Sequence, residues 1–184
     1  PDEAHPGVSI GCDNYQGGQS ITSHLIGLGK TSFAFIGDNG DHAPEFKARF
    51  NGYFETLQSH GLDQSSVQRN AISTEDAGSE AVKSLLQSGE LPQAIVCASD
   101  LIAMGVLRAL RQAKVNVPDD VAVVGYDNIA VSAYTTPSLT TVQQNTKLAG
   151  ELLVNTLLKA INNEDVQDYL MPADIIIRQS CGSE

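Results

Sequence analysis

Polar side chains follow two apolar runs of this sequence where a buried strand would end. Asp127 comes two residues after the run at 121–125, and Ser99 and Asp100 follow the run at 94–97. In open α/β sheets the crevice beyond the carboxyl ends of the strands binds ligands. A carboxylate in that crevice accepts hydrogen bonds from sugar hydroxyls or base N–H groups. Both aspartates also have a structural interpretation, because Asp-Asn favours turns and Asp100 could cap a helix.

Motifs for catalysis and for metal binding are missing from the sequence. There is no G-x-G-x-x-G fingerprint between a strand and a helix, and no phosphate loop, G-x-S-x-G or H-E-x-x-H motif. The cysteines and histidines lack the spacing of a catalytic or metal-binding pair: Cys12, Cys97, Cys181, His5, His24, His42 and His60. The sequence therefore predicts a protein that is not an enzyme and that needs neither a cofactor nor a metal. Its reduced thiols fit a cytosolic protein.

The elements that would position the polar side chains alternate between apolar runs and amphipathic helices. Strands are predicted at 32–37, 67–72, 94–97 and 121–125, and helices at 43–59, 74–87 and 101–113. This alternation predicts the α/β class, with a Rossmann-like parallel sheet flanked by helices. A weak strand at 8–10, a short strand at 140–142 and a last strand at 174–179 complete the pattern.

Two further helices, at 15–28 and 146–161, each carry an apolar stripe at helical spacing. Ile21 and Leu25 belong to the first stripe, and Leu157 and Ile161 to the second. Exposed stripes of this size are liabilities. We therefore expect the two stripes to pack on each other or on a second copy of the chain.

Composition and charge limit the classes of partner. The 184 residues are 41% apolar and 18% charged, as in a globular protein that is long enough to bury a core. A net charge of −11 repels phosphate backbones, so we do not expect this segment to bind DNA by itself. No apolar run approaches the ~20 residues that cross a bilayer, and the first residues lack the pattern of a signal peptide.

Four segments resemble the LacI/GalR (lac-repressor) family of transcription regulators, in order and over essentially the whole chain. They are D-N-Y-Q-G-G with H-L-I-G-L-G-K at 13–30, R-F-N-G-Y-F-E-T-L at 49–57, A-S-D-L-I-A-M-G at 98–105, and V-P-D-D-V-A-V-V-G-Y-D-N at 117–128, which leads into P-S-L-T-T-V at 137–142. The resemblance implies the family's effector-binding domain, with a periplasmic-binding-protein-like fold of two Rossmann-like lobes around a ligand cleft.

The resemblance further implies that this chain holds one complete lobe and part of the other. It assigns 31–142 and 165–184 to the complete C-terminal lobe, and 1–30 and 143–164 to the partial N-terminal lobe. The helix-turn-helix headpiece that binds operator DNA would lie outside this chain. The intact protein is expected to be a cytoplasmic homodimer.

Several ligand contacts are implied by the same resemblance. Arg49 matches the family's effector-binding arginine in R-x-x-G-[FWY], and its planar, permanently charged fork can hold two ligand oxygens. A solvated helix arginine is the alternative. Asp127 and Asp13 match carboxylates of the cleft, although Asp13 could simply cap a helix. Gln144 matches a polar position where the chain crosses between the lobes.

The remaining predicted contacts are Ser99, Asp100 and Ser73. Many family members carry Asn where this chain has Ser99, which shortens the polar reach. Some members place an aromatic residue that stacks on the ligand near the position of Ser73. This chain has Ser73 and Thr74 there, so no stacking residue is predicted.

The sequence thus predicts a sensor whose small-molecule effector controls operator binding. Such allostery requires the effector to bind one arrangement of the lobes better than the other. A sugar is the expected effector, with a purine or nucleoside as the alternative. Two other functions stay open: a secreted sugar-binding protein of a transport system, which should carry a signal peptide, and a small Rossmann-like enzyme, which should carry a phosphate-binding glycine loop.

Overall fold

Helices and strands alternate along the chain in the computed structural model, which describes residues 7–38, 40–62, 67–69, 71–89 and 91–183. The elements are β1 (Ile10–Cys12), α1 (Asn14–Gly27), β2 (Phe33–Ile36), α2 (Pro44–Ser59), β3 (Val67–Arg69), α3 (Glu75–Ser88), β4 (Ala94–Cys97), α4 (Asp100–Gln112), β5 (Ala122–Asp127), β6 (Thr140–Gln143), α5 (Thr146–Ile161), β7 (Tyr169–Met171) and β8 (Asp174–Ile176). None of the helices in these ranges combines the length and the apolar character that crossing a bilayer requires.

The main sheet has six strands in the order β3-β2-β4-β5-β6-β8. The first five are parallel, whereas β8 runs antiparallel to β6. The side chains of β2 and β4 are buried throughout, and so are those of β5 up to Tyr126, as expected for strands with helices on both faces. The predicted α/β fold with a mostly parallel sheet is confirmed.

A second sheet consists only of β1 and β7, which pair in parallel from Ile10 and Tyr169 to Cys12 and Met171. The backbone N–H of Asp13 continues this pairing by donating to the carbonyl of Met171 at 2.8 Å. The small sheet therefore fixes the point at which α1 begins. Strand β7 was not predicted from the sequence, and the last strand is shorter than expected because a 3₁₀ turn at Gln179–Cys181 follows it.

Helix α1 packs against α2 through two glycines. A Cβ atom on Gly18 would lie 2.2 Å from the backbone oxygen of Arg49, and one on Gly52 would lie 2.2 Å from that of Tyr15. The two backbones are thus in direct contact, and Leu25 of the α1 stripe is fully buried in the core of the main sheet. This differs from the expectation that the stripe of α1 packs on α5 or on a second copy. The predicted division of the chain into two lobes stays a prediction.

Helix α5 has no buried residue. Its apolar stripe stays open in the described part of the chain, where Leu157 and Ile161 are 61% and 65% exposed. The stripe forms one wall of a groove, and the other is lined by Ile10 of β1 and by Val8, which precedes that strand. The expectation that this stripe packs on another surface therefore remains a prediction.

Candidate functional site

The carboxyl ends of β4, β5 and β6 meet at one edge of the main sheet, close to the beginnings of α1, α2 and α4. Asp127 is the last residue of β5, and Gln144 directly follows β6. Arg49 reaches the same place from α2 and lies beside the end of β4, where it contacts Ala98. Three of the predicted ligand contacts are therefore brought together by the fold.

Arg49 is buried, with 4% of its surface exposed. Its Nε donates to Oδ1 of Asn14 at 2.9 Å, and its Nη1 donates to the carbonyl of Ala98. The guanidinium lies over the Tyr126 ring at 3.7 Å from the centroid, a cation–π distance. Arg49 is consequently not the solvated surface arginine of the alternative interpretation.

The guanidinium of Arg49 also forms an ion pair within the site. Its Nη1 lies 3.3 Å from Oδ1 of Asp127, whose side chain is 30% exposed. No hydrogen bond from Nη2 to the described residues is present. A ligand that engages both terminal nitrogens would require Asp127 to move.

Asp127 is held in an unusual backbone conformation. Its φ is +107° and that of Asn128 is +52°, both in the left-handed half of the map, which non-glycine residues seldom adopt. Nε2 of Gln144 donates to Oδ1 of Asp127 at 2.6 Å, and Nη2 of Arg178 donates to Oδ1 of Asn128 at 2.8 Å. Burial raises the pKa of the Asp127 carboxyl, while Arg49 and Gln144 act in the opposite direction.

Asp100 lies below the site and has no exposed surface. Its Oδ1 accepts from the Thr141 hydroxyl at 2.6 Å, and its Oδ2 accepts from the Ile129 N–H at 2.9 Å. Burial raises the pKa of this carboxyl to about 6, against the lowering effect of these two hydrogen bonds. Because both oxygens are engaged, Asp100 links β6 to the loop that follows β5, and a ligand does not reach it in this conformation.

The helix cap that the sequence suggested for Asp100 is made by Ser99 instead. The Ser99 hydroxyl accepts from the N–H of Ile102 at 3.3 Å, and it lies 2.8 Å from the hydroxyl of Ser73. Ser99 is buried and Ser73 is exposed, so the two form a polar connection from α4 to the surface beside α3. No contact joins this pair to Arg49 within the described residues.

Asp13 is the cap of α1, as its second interpretation proposed. Its Oδ1 accepts from the N–H of Gln16 at 2.9 Å, and the residue is half-buried at the end of β1. The described contacts do not connect its carboxylate to Arg49. A ligand role for Asp13 therefore stays a prediction.

Sequence reasoning missed three side chains that surround Arg49. Asn14 and Tyr126 lie inside the segments that carry the family resemblance, but neither was given a role. The ring centroid of Phe46 lies 5.2 Å from Cζ of Arg49, one helical turn away on α2. The only signal for Asn14 and Tyr126 in the sequence is that they are adjacent to the predicted contacts Asp13 and Asp127.

The possible metal ligands are scattered in the part of the chain that the structure describes. No group of three or more His, Cys, Asp or Glu side chains is arranged to hold a metal ion there. The Cys12 thiol is buried and lies within the electrostatic influence of Arg49. Burial raises its pKa, and the charge of Arg49 lowers it.

Comparison with known proteins identifies relatives of this chain in sequence and fold. The family model described as "periplasmic binding protein-like domain" matches residues 22–181. The HTH-type transcriptional repressor PurR of Glaesserella parasuis is 33% identical over 176 residues, which make up 89% of this chain and 51% of that protein. The chain spans about half the length of the curated relatives it matches.

Solved structures agree with this assignment. A sugar-binding transcriptional regulator of the LacI family from Escherichia coli, complexed with phosphate, has a TM-score of 0.86 and 29% identity over 92% of this chain and 61% of its own. The complex of the transcriptional regulator CelR with cellobiose has a TM-score of 0.86 and 32% identity over 94% of this chain and 54% of its own. These relatives are named as regulators and not as enzymes. The chain belongs to the periplasmic binding protein-like domain family, as the effector-binding domain of a LacI-family transcription regulator.

Proposed function

We propose that this domain senses a sugar and thereby controls the binding of a cytoplasmic repressor to its operator DNA. The observation that carries the proposal is the cluster of Arg49, Asp127 and Gln144 at the carboxyl edge of the main sheet. A sugar hydroxyl both donates and accepts hydrogen bonds. The Nη2 donors of Arg49 and the half-buried carboxylate of Asp127 offer it one partner of each kind, a few ångströms apart.

The charge balance of the cluster favours an uncharged effector. Arg49 and Asp127 neutralise each other at 3.3 Å, so a neutral polyol can hydrogen-bond to both groups while they stay paired, and no buried charge is left without a partner. Relatives that are named as sugar-binding or that were solved with cellobiose support the same class of ligand.

A purine or nucleoside is the second candidate. The N–H groups of a base would donate to Asp127, and its ring nitrogens would accept from Arg49. The half-buried ring of Phe46, one turn from Arg49 on α2, offers an aromatic surface for such a ligand.

The regulatory step requires parts of the protein that this chain does not include. We propose that a helix-turn-helix headpiece contacts the operator and that the regulator acts as a homodimer. Gln144 directly follows β6, where the resemblance implies a crossing between the lobes, so an effector that engages Asp127 also acts on the segment leading to the other lobe. A difference in affinity between two lobe arrangements would then shift operator binding.

A thermal-shift screen of neutral sugars, phosphorylated sugars, purines and nucleosides tests the proposal. A ligand at about 100 times its Kd adds about 2.7 kcal/mol to the free energy of unfolding, which raises the Tm of a domain of this size by roughly 5–10 °C. We expect such a shift with a neutral sugar. A shift only with nucleosides would favour the second candidate, and a shift only with phosphorylated sugars would contradict the neutral site.

A further inference from the structure

We propose that Asn14 is a positioning residue, which holds the guanidinium of Arg49 in the orientation that meets the effector. Its importance for binding rests on the proposed function, whereas the contact itself does not. Nε of Arg49 donates to Oδ1 of Asn14 at 2.9 Å across the boundary between α1 and α2. Asn14 thereby connects the helix that follows the small sheet to the charged group of the site.

The amide of Asn14 is oriented before it contacts Arg49. Its Nδ2 donates to the backbone carbonyl of Cys12 at 3.2 Å, which directs Oδ1 towards the arginine. Asn14 is the first residue of α1, and Asp13 caps that helix through the N–H of Gln16. The position of the amide is therefore determined by the end of β1 and by the capped start of α1.

The close contact of the two helices sets the distance between Asn14 and Arg49. Gly18 lies one turn after Asn14 on α1, and Gly52 lies one turn after Arg49 on α2, so each glycine shares a face with the polar residue. Because each glycine touches the backbone of the opposite helix, the helices approach more closely than side chains would allow. The short amide of Asn14 can then reach Nε of Arg49.

Three contacts fix the guanidinium of Arg49, in addition to its ion pair with Asp127. Asn14 holds Nε, the carbonyl of Ala98 holds Nη1, and the ring of Tyr126 supports the plane of the guanidinium. The Nη2 donors keep their orientation when no ligand is bound. An arginine that is ordered in advance loses less conformational freedom on binding, so Asn14 increases affinity without a contact of its own to the effector.

The orientation of Arg49 can be measured without any effector. The sequence has five arginines, so a ¹H–¹⁵N spectrum of the arginine Nε–H groups of the 184-residue chain contains few signals, and Arg49→Lys identifies the one from Arg49. We expect the Asn14→Ala substitution to shift the Arg49 signal and to increase its exchange with water at least tenfold. The signal of Arg178, which Ser132, Leu139 and Asn128 hold elsewhere, should stay unchanged.

Two further variants separate positioning from a general effect on the fold. Asn14→Asp keeps an acceptor for Nε and should preserve the protected Arg49 signal. Asn145→Ala, which removes the cap of α5, should leave that signal unchanged. Loss of the Arg178 signal would reveal that Asn14→Ala prevents folding. In that case the Arg49 signal of Asn14→Asp tests the proposal.

The proposal is overturned if Arg49 keeps its shift and its exchange rate in a folded Asn14→Ala chain, or loses its protection in a folded Asn14→Asp chain. Neither result depends on effector binding. A failure of the proposed function would instead appear in the thermal-shift screen.

Discussion

Asp100 is a carboxyl group that the fold buries completely between β6 and the loop after β5. Its two hydrogen bonds do not fully compensate for the loss of hydration, so its pKa rises to about 6. The residue fixes Ile129 in the loop that follows Asp127, and so acts on the site from the side of the core. A buried carboxyl of this kind makes stability depend on pH.

The direction of that dependence follows from the raised pKa. The folded chain binds the proton of Asp100 more tightly than the unfolded chain does, so the contribution of Asp100 to stability falls as the pH rises from about 4 to about 6. One pKa unit corresponds to about 1.4 kcal/mol, so the change is on the order of 2 kcal/mol. Urea unfolding at pH 4.5 and 7 should therefore show that Asp100→Asn removes a pH-dependent loss of stability of this size.

Asp76→Asn is the control for the pH measurement, because the side chain of Asp76 is 91% exposed. It should leave the pH dependence of the wild-type chain unchanged. A stability difference between wild type and Asp100→Asn that is the same at both pH values would show that the Asp100 carboxyl is not destabilised by burial.

Single residues of the site were predictable to different degrees. Arg49 and Asp127 could be recognised because they lie in segments that resemble the family, and Gln144 because it lies two residues after such a segment. The fold brings the three together. The role of Asn14 could not, because its partner is 35 residues away and the contact depends on how two helices pack. Asp100 was predicted to contact the ligand or to cap a helix. Its actual role could not be predicted, because the sequence does not reveal that Thr141 and Ile129 occupy its oxygens.

At the scale of elements, the contact between α1 and α2 governs the geometry of the site. Gly18→Ala should disturb it, because the new Cβ would lie 2.2 Å from the backbone oxygen of Arg49. We expect the free energy of unfolding to fall by about 1–3 kcal/mol, the usual effect of overpacking. Chemical denaturation measures this change.

Gly27→Ala on the same helix is the matched control. A Cβ on Gly27 would meet no atom within 4 Å, so alanine should be neutral or stabilise the helix by up to about 1 kcal/mol. Equal effects of the two substitutions would mean that the helices are not in direct backbone contact.

Most strands of the main sheet and the helices that flank it could be predicted from hydrophobic periodicity. Runs such as Ala94–Cys97 are apolar throughout and end at polar residues. Strand β7 was missed because its first two residues are exposed and three residues show no clear period. The antiparallel direction of β8 depends on the path of the chain and not on local pattern. The packing of α1 with the main sheet was missed for the same reason, because a stripe does not reveal which surface covers it.

At the scale of the whole molecule, the open apolar face of α5 is the feature without a described partner. A face of this kind favours association, so we predict that the isolated chain self-associates at high concentration. Leu157→Lys should shift it towards the monomer and change the free energy of unfolding by less than about 0.5 kcal/mol, because Leu157 is 61% exposed. Sedimentation velocity and urea unfolding measure the two effects.

Leu28→Lys, at an exposed position outside this face, should leave the association unchanged. A wild-type chain that stays monomeric at all concentrations would refute association through α5.

The central claim is that an effector binds through the guanidinium of Arg49. Calorimetric titration of the wild-type chain and of Arg49→Ala, with the sugar that gives the largest thermal shift, tests it most directly. Removing a charged hydrogen-bond donor from a buried site costs about 2–4 kcal/mol, so the variant should bind about 30- to 1000-fold more weakly. Arg108→Ala removes the same charge from an arginine on α4 that forms an ion pair with exposed Asp76, and should bind like wild type. If folded Arg49→Ala also binds with wild-type affinity, the effector site lies elsewhere.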